Sequence, residues 1–286
     1  MRFHRIVIVL SVMLVMIPSL CFPQNKLQGM KSWVCFYEDK FPENKVPIYD
    51  LYVLDKKYHP NLKEIKTKAK DSVAVGYISL GEVEKREEFF SIVKKKGLLV
   101  DENENWPNSY RVLLSSPEWH EIVLNKLIPE VLKQGFEGIF IDTIDTADYL
   151  ESEKKLKGQK KGAVNLLKKI RKKYPKIIIV MNNGFSVVGA VGNQIDALVV
   201  EDIYTLYDFK KKKYNLAKKS WTNERLKLAK LFQSTFKKPV LPLEYLKSKD
   251  KRKIRKVARE ALGEGFIPYI SDIDLTKIFF NAEHYK

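Results

Sequence analysis

Two apolar runs in this chain end in carboxylates. In GFEGIFIDTID, residues 135–145, the run Gly138–Ile141 stops at Asp142, and Asp145 follows three residues later. In IDALVVED, residues 195–202, the run stops at Glu201. A carboxylate at the end of a strongly apolar strand is costly to desolvate unless it has a task or a partner. Two of them on two strand ends are the minimum equipment for cutting a glycosidic bond. Other polar groups fall at the ends of similar runs. GYISLGEVE supplies Tyr77, Ser79 and Glu82, and MNNG supplies Asn182 and Asn183. Tyr204 lies beyond Glu201, LPLEYL supplies Glu244, and the last run supplies Tyr269. Carboxylates and amides hydrogen-bond hydroxyl or amino groups, and aromatic faces stack on pyranose rings, so the set suits a sugar polymer.

Several of these residues also have a purely structural reading. Asp145 can cap the segment after its strand, and Asn182–Asn183–Gly184 can serve as a turn. Glu84, Asp202 and Asp272 read as solvated loop charges, and Trp106 and Trp119 as packing residues. The four histidines are His4, His59, His120 and His284, and only His59 is near a strand end. This argues against a histidine-rich metal centre or a Ser-His-Asp triad. No phosphate-binding glycine loop is present. No metal site and no cofactor is therefore assigned, although Asp142, Asp145 and Asp148 are oxygen donors of the kind Mg²⁺ or Ca²⁺ prefers.

Something must hold these groups in one place. Strands are expected at Trp33–Phe36, Leu51–Leu54, Val73–Ile78, Gly138–Ile141, Ile177–Met181, Ala197–Val200, Val240–Leu243 and Phe266–Ile270. Runs apolar on both faces suit a parallel sheet covered on both sides. Helical periodicity fills Pro117–Lys133, Ala163–Tyr174, Asn223–Phe236 and Lys251–Leu262. Eight strands with helical crossovers predict an α/β fold, a (β/α)8 TIM barrel in a single domain, residues 30–286. The active face of such a barrel lies at the C-terminal ends of the strands, where the residues above collect. The gaps after the first and fifth strands hold only a turn or a brief helix. The gap from Ser79 to Gly138 is long and predicts an excursion over the barrel mouth.

Residues 1–21 read as a secretory leader, or an N-terminal anchor, in which Arg2 and Arg5 precede an apolar run of about fifteen residues. The protein is thus expected to be secreted or held in the cell envelope. Removal of the leader leaves Cys35 as the sole cysteine, an inert buried thiol in WVCFY. The net charge is +17, which favours anionic surfaces, including an envelope or membrane surface. No nucleic-acid motif accompanies it. The lysines read as solvated helix faces around an acidic cleft. Nothing in the sequence sets the oligomeric state.

In order along the chain, GYISLGEVE, a Trp-containing loop, GFEGIFIDTID, MNNG, VVEDIY and LPLEYL resemble glycoside hydrolase family 114. The resemblance runs from about Trp33 to Asp272. It implies a TIM barrel with endo-α-1,4-polygalactosaminidase activity on an amino-sugar polymer. It places the catalytic aspartate on Asp142 and the catalytic glutamate on Glu201. Tyr77, Ser79, Glu82, Asn182 and Glu244 fall on positions that line the sugar cleft. Of the two, Asp142 is expected to be the nucleophile and Glu201 the acid/base, which implies retention. Two other readings fit the residues: a non-catalytic carbohydrate-binding barrel of the envelope, and a carboxylate-metal phosphodiesterase.

Overall fold

The computed structural model describes residues 26–278. The leader read at residues 1–21 lies outside them. Eight parallel strands run in sequential order: β1 (Trp33–Phe36), β2 (Leu51–Leu54), β3 (Val73–Ser79), β4 (Gly138–Asp142), β5 (Ile178–Asn182), β6 (Ala197–Glu201), β7 (Val240–Tyr245) and β8 (Tyr269–Ser271). The ends of this sheet meet. The Trp33 ring of β1 lies 5.5 Å from Tyr269 of β8, and its indole N–H donates to the Ile267 carbonyl at 2.8 Å. The result is a nearly closed (β/α)8 barrel.

All eight expected strands form, with ends shifted by a few residues. The largest shift is in β8, which starts at Tyr269 rather than Phe266. Pro268 precedes it and has no N–H to give to a ladder. Gly138 opens β4 because nothing larger fits: a Cβ there would lie 2.0 Å from the Ile178 carbonyl oxygen of β5. The helical stretch over residues 117–133 begins with Ser116 accepting from the Trp119 N–H and Pro117 in the first turn. Pro129 falls inside it. The π turn Val123–Leu127 just before the proline accommodates a ring that would otherwise clash with the carbonyl four residues back.

The short gaps hold a single 3₁₀ turn (Pro42–Asn44) after β1 and the helix Phe185–Val191 after β5. The long gap after β3 holds a three-stranded antiparallel sheet of Glu82–Glu84, Leu99–Glu102 and Ser109–Val112. A hairpin, Thr205–Asp208 with Lys213–Leu216, rises after β6. Period-2 apolar patterning did not reveal it, because its strands carry mixed, partly exposed residues. Trp106 of the first excursion meets Phe209 of the hairpin edge-on at 5.6 Å.

Candidate active site

At three strand ends, the polar residue that closes the strand is followed by a left-handed one. Thr143 (φ 59°) follows Asp142, Asn183 (φ 51°) follows Asn182, and Asp202 (φ 59°) follows Glu201. This conformation is uncommon outside glycine, most of all for a β-branched threonine, and costs on the order of 1–3 kcal/mol per residue. Each turn leads the chain out of the barrel at once, leaving the preceding side chain at the mouth. Local contacts hold each one. The Thr143 hydroxyl accepts from the Gly81 N–H at 2.9 Å and bonds the Ser79 hydroxyl at 2.6 Å. Gly81 must be glycine, since a Cβ would lie 2.0 Å from the Thr143 carbonyl oxygen. Asn183 Oδ1 accepts from the Glu201 N–H at 3.2 Å and from Arg225 at 3.4 Å. The Asp202 N–H donates to the Leu243 carbonyl at 3.1 Å, and its own carbonyl accepts from the Trp221 indole at 2.6 Å.

The two carboxylates so placed have unequal surroundings. Asp142 meets a donor on each oxygen: the Tyr77 hydroxyl at 3.0 Å on Oδ2 and the Asn182 amide at 2.9 Å on Oδ1. Burial, then the Asp142 charge, drives the Tyr77 pKa far up, so it stays a phenol and a donor. Glu201 accepts from the Tyr245 hydroxyl at 2.8 Å. Burial first, and then the negative charges of Asp142 and Asp202, push the Glu201 pKa up to about 8. Asp142 thus has a donor on each oxygen, and burial and neighbouring charge hold Glu201 as the neutral acid at pH 7.

The other sequence candidates divide. Tyr77 and Asn182 join Asp142 at the centre, and Asn183 props Glu201. Asp145 is exposed at the rim, its carboxylate accepting from the Gly184 N–H at 2.8 Å. That contact ties the β4 loop to the β5 loop instead of capping the following helix. Ser79 is engaged with Thr143 and with the Glu82 N–H at 3.2 Å. Glu82 is buried and accepts from Asn103 at 2.8 Å and Ser109 at 2.7 Å, inside the antiparallel sheet. Tyr204 and Tyr269 are buried in the core.

Glu244 is fully buried. It accepts from the N–H groups of Ile203, Tyr204 and Thr205 at 2.9–3.1 Å and from the Thr205 hydroxyl at 2.7 Å. Burial pushes its pKa up to about 8, with these donors pulling it down against the burial and the Asp202 charge. Every contact comes from a donor, so the nest favours a carboxylate acceptor against the burial that raises it. Glu244 therefore pins the loop that leaves β6 and does not face the mouth.

Three side chains read as bland differ from that reading. Asp202 is half-buried beside Glu201, and burial pushes its pKa up to about 7. Asp272 is buried and accepts from the Thr276 N–H at 3.1 Å. Trp106 is 49% exposed at the rim, whereas Trp119 is buried as expected. Tyr245 falls at a strand end in the sequence but was not carried into the candidate site, and Thr143 and Arg225 were not singled out. For Tyr245 a signal existed: successive side chains of a strand point to opposite faces, so Glu244 and Tyr245 cannot both face the mouth. Among the described residues, no three His, Cys, Asp or Glu side chains come together as a metal would need.

Comparison with known proteins agrees with this architecture. The glycoside hydrolase domain of PelA from Pseudomonas aeruginosa superposes with a TM-score of 0.75 at 23% identity, covering 87% of this chain and 98% of that one. Aspergillus fumigatus Ega3, solved as a complex with galactosamine, superposes with a TM-score of 0.66 at 15% identity, covering 86% and 92%. At these identities the likeness is one of fold. An uncharacterised protein of Deinococcus radiodurans is 25% identical over 224 residues, 76% of this chain and 70% of that protein. The protein is an O-glycosyl hydrolase built on a (β/α)8 barrel. The model of glycoside-hydrolase family GH114 matches residues 22–285, and the chain belongs to that family.

Proposed function

We propose that this glycoside hydrolase is exported by its leader and cleaves an α-linked amino-sugar polysaccharide, as an endo-α-1,4-polygalactosaminidase does. The observation that carries the reading is the unequal pair at the ends of β4 and β6. Asp142 sits between two donors, and Glu201 is raised into the range of a general acid at neutral pH. Asp142 attacks the anomeric carbon as the leaving oxygen takes the Glu201 proton. Glu201, now ionised, then activates the water that releases the sugar. This order retains the anomeric configuration and calls for carboxyl groups about 5–5.5 Å apart. The amino-sugar specificity is supported by the family and by the galactosamine bound in its structural relative Ega3.

The test is digestion of a panel of α-linked amino-sugar polymers, acetylated and free, with product masses from mass spectrometry and the first-formed anomer read by NMR. Internal cleavage of galactosamine polymer with the α anomer appearing first is expected. Absence of products from every amino-sugar polymer sinks the substrate assignment, and an inverted anomer sinks the nucleophile assignment.

A further inference from the structure

The two halves of the barrel differ in charge. Residues 26–153, which build β1 to β4, carry 18 Lys and Arg against 23 Asp and Glu, a net of −5. Residues 154–278, which build β5 to β8, carry 31 against 11, a net of +20. Because the strands follow in sequential order, each half of the sequence is one contiguous side of the molecule.

Helix stability does not account for the basic side. On the first side the helices Leu62–Lys68, Pro117–Ile122 and Thr146–Ser152 carry Glu64, Glu118 and Asp148 in their first turns, where the helix dipole favours an anion. On the second side Gln159–Lys173, Lys219–Phe236 and Lys251–Gly263 have no acid in the first turn. They begin with Lys160 and Lys161, with Lys219, and with Lys251, Arg252 and Lys253, against the dipole. Mutual pairing does not account for it either. Residues 210–259 hold 19 Lys and Arg against three acids, one of them the buried Glu244. Among the described residues, their ion pairs are confined to Lys211–Asp208, Lys230–Glu264, Lys253–Asp250 and Lys256–Glu260. The charge also reaches the mouth: Lys210–Lys212 lie in the hairpin turn beyond β6 and Lys213 opens its second strand, where an acidic cleft in a basic shell would not place them.

We propose that the outer face of the second side docks peripherally on an anionic lipid bilayer. Three observations select that occupant. Of its 31 cations 26 are lysines, compact point charges suited to a diffuse anionic surface, whereas shaped phosphate sites favour the arginine fork. Leu231 stands 61% exposed on the helix Lys219–Phe236, and Leu216 41% exposed on the hairpin that leads into it, apolar groups that a headgroup layer accepts. The start of the described chain also touches this side, although Lys26 itself pairs with Glu137 of the first side. Gln28, Gly29 and Met30 share a recess with Gln233, Lys237 and Lys238, so the first of the described residues lie against lysines of the basic side. No helix among the described residues is long and apolar enough to cross a membrane, so the contact is superficial.

The test uses the chain from residue 22, where the family match begins, in sedimentation with vesicles of phosphatidylcholine with or without 30% phosphatidylglycerol. Binding to the anionic vesicles is expected to be at least tenfold tighter than to the neutral ones and to vanish at about 0.5 M salt. Replacing Lys251, Arg252, Lys253, Arg255, Lys256 and Arg259 with Gln should weaken binding about tenfold or more while hydrolysis of a soluble substrate and the melting temperature hold. Replacing Lys210–Lys213 with Gln, at the mouth end of the same side, is an independent second variant that should also weaken binding. Replacing Lys63, Lys68, Lys70, Lys94, Lys95 and Lys126 on the first side should leave binding unchanged. Equal binding to both vesicles, or equal losses from both sides, overturns the proposal. Tighter binding to soluble polyglutamate than to the vesicles would give the face to an acidic polymer and overturn the lipid assignment. These readouts are independent of which sugar polymer the mouth cleaves.

Discussion

The ends of β4 and β6 look alike in sequence, each an apolar run closed by an acid and turned by a left-handed residue, yet they present opposite chemistry. At β4 the neighbours of Asp142 are a phenol and an amide, both donating to it. At β6, Glu201 is helped by the Tyr245 phenol and by Asn182, but burial of its carboxyl and the charges of Asp142 and Asp202 outweigh them. Identity of the acid does not decide its role. What decides it is how far the burial and negative charge around the acid outweigh the donors that the neighbouring strands supply.

The largest effect should come from removing the β4 acid. Asp142→Asn keeps both donors' neighbour but removes the charge, and turnover should fall by roughly 10⁴-fold or more on every substrate. Near-normal activity of this variant in a single-turnover assay would mean that the pair is misassigned. Glu201→Gln should cost on the order of 10²–10⁴ on polymer, and much less on an aryl glycoside whose leaving group needs little protonation. The comparison is sharpest in the pH profile. The neutral Glu201 is the working form, so kcat/KM should fall as pH rises through about 8, and this limb should disappear in Glu201→Gln. The same group should make folding stability greatest below its ordinary value near 4.5 and lose that contribution as pH rises through about 8.

Glu244→Gln tests the support beneath β6. An amide cannot accept on both sides, so N–H donors of the Ile203–Thr205 turn lose their partner. The expected loss is about 3 kcal/mol of stability, read by urea unfolding, with activity falling because Glu201 is no longer held. Normal stability would mean that the nest is not what holds the loop. The smallest effect is expected from Tyr245→Phe. The phenol lowers the Glu201 pKa, so its loss should move the alkaline limb upward and reduce kcat by roughly two- to tenfold. A downward shift would contradict the stated environment of Glu201.

Much of the site was visible in the sequence because it depends on local pattern. Buried strands announce themselves as apolar runs, and the acids that end them, Asp142 and Glu201, were identified before any contact was known. The boundaries that slipped did so for local reasons too, as at Pro268. The hairpin after β6 was not visible, since half-exposed strands of Tyr, Lys and Asn carry no clean period.

Which polar strand ends face the mouth was a different matter, and only the assembled barrel decided it. Glu244 and Tyr245 are neighbours in LPLEYL, and composition favoured the acid. The acid's partners lie about forty residues away, at Ile203–Thr205, and Tyr245's partner is Glu201. Ser79 and Glu82 likewise became struts through Thr143, Asn103 and Ser109. The sequence by itself determined the strands, the barrel class, the candidate acid pair and the total charge, because burial and periodicity are written into short stretches. The tertiary structure decided which polar groups are spent on holding loops, which carboxyl stays neutral and that the charge falls on one side. Each of these depends on which distant residues the closing of the sheet brings within hydrogen-bonding or Coulomb range.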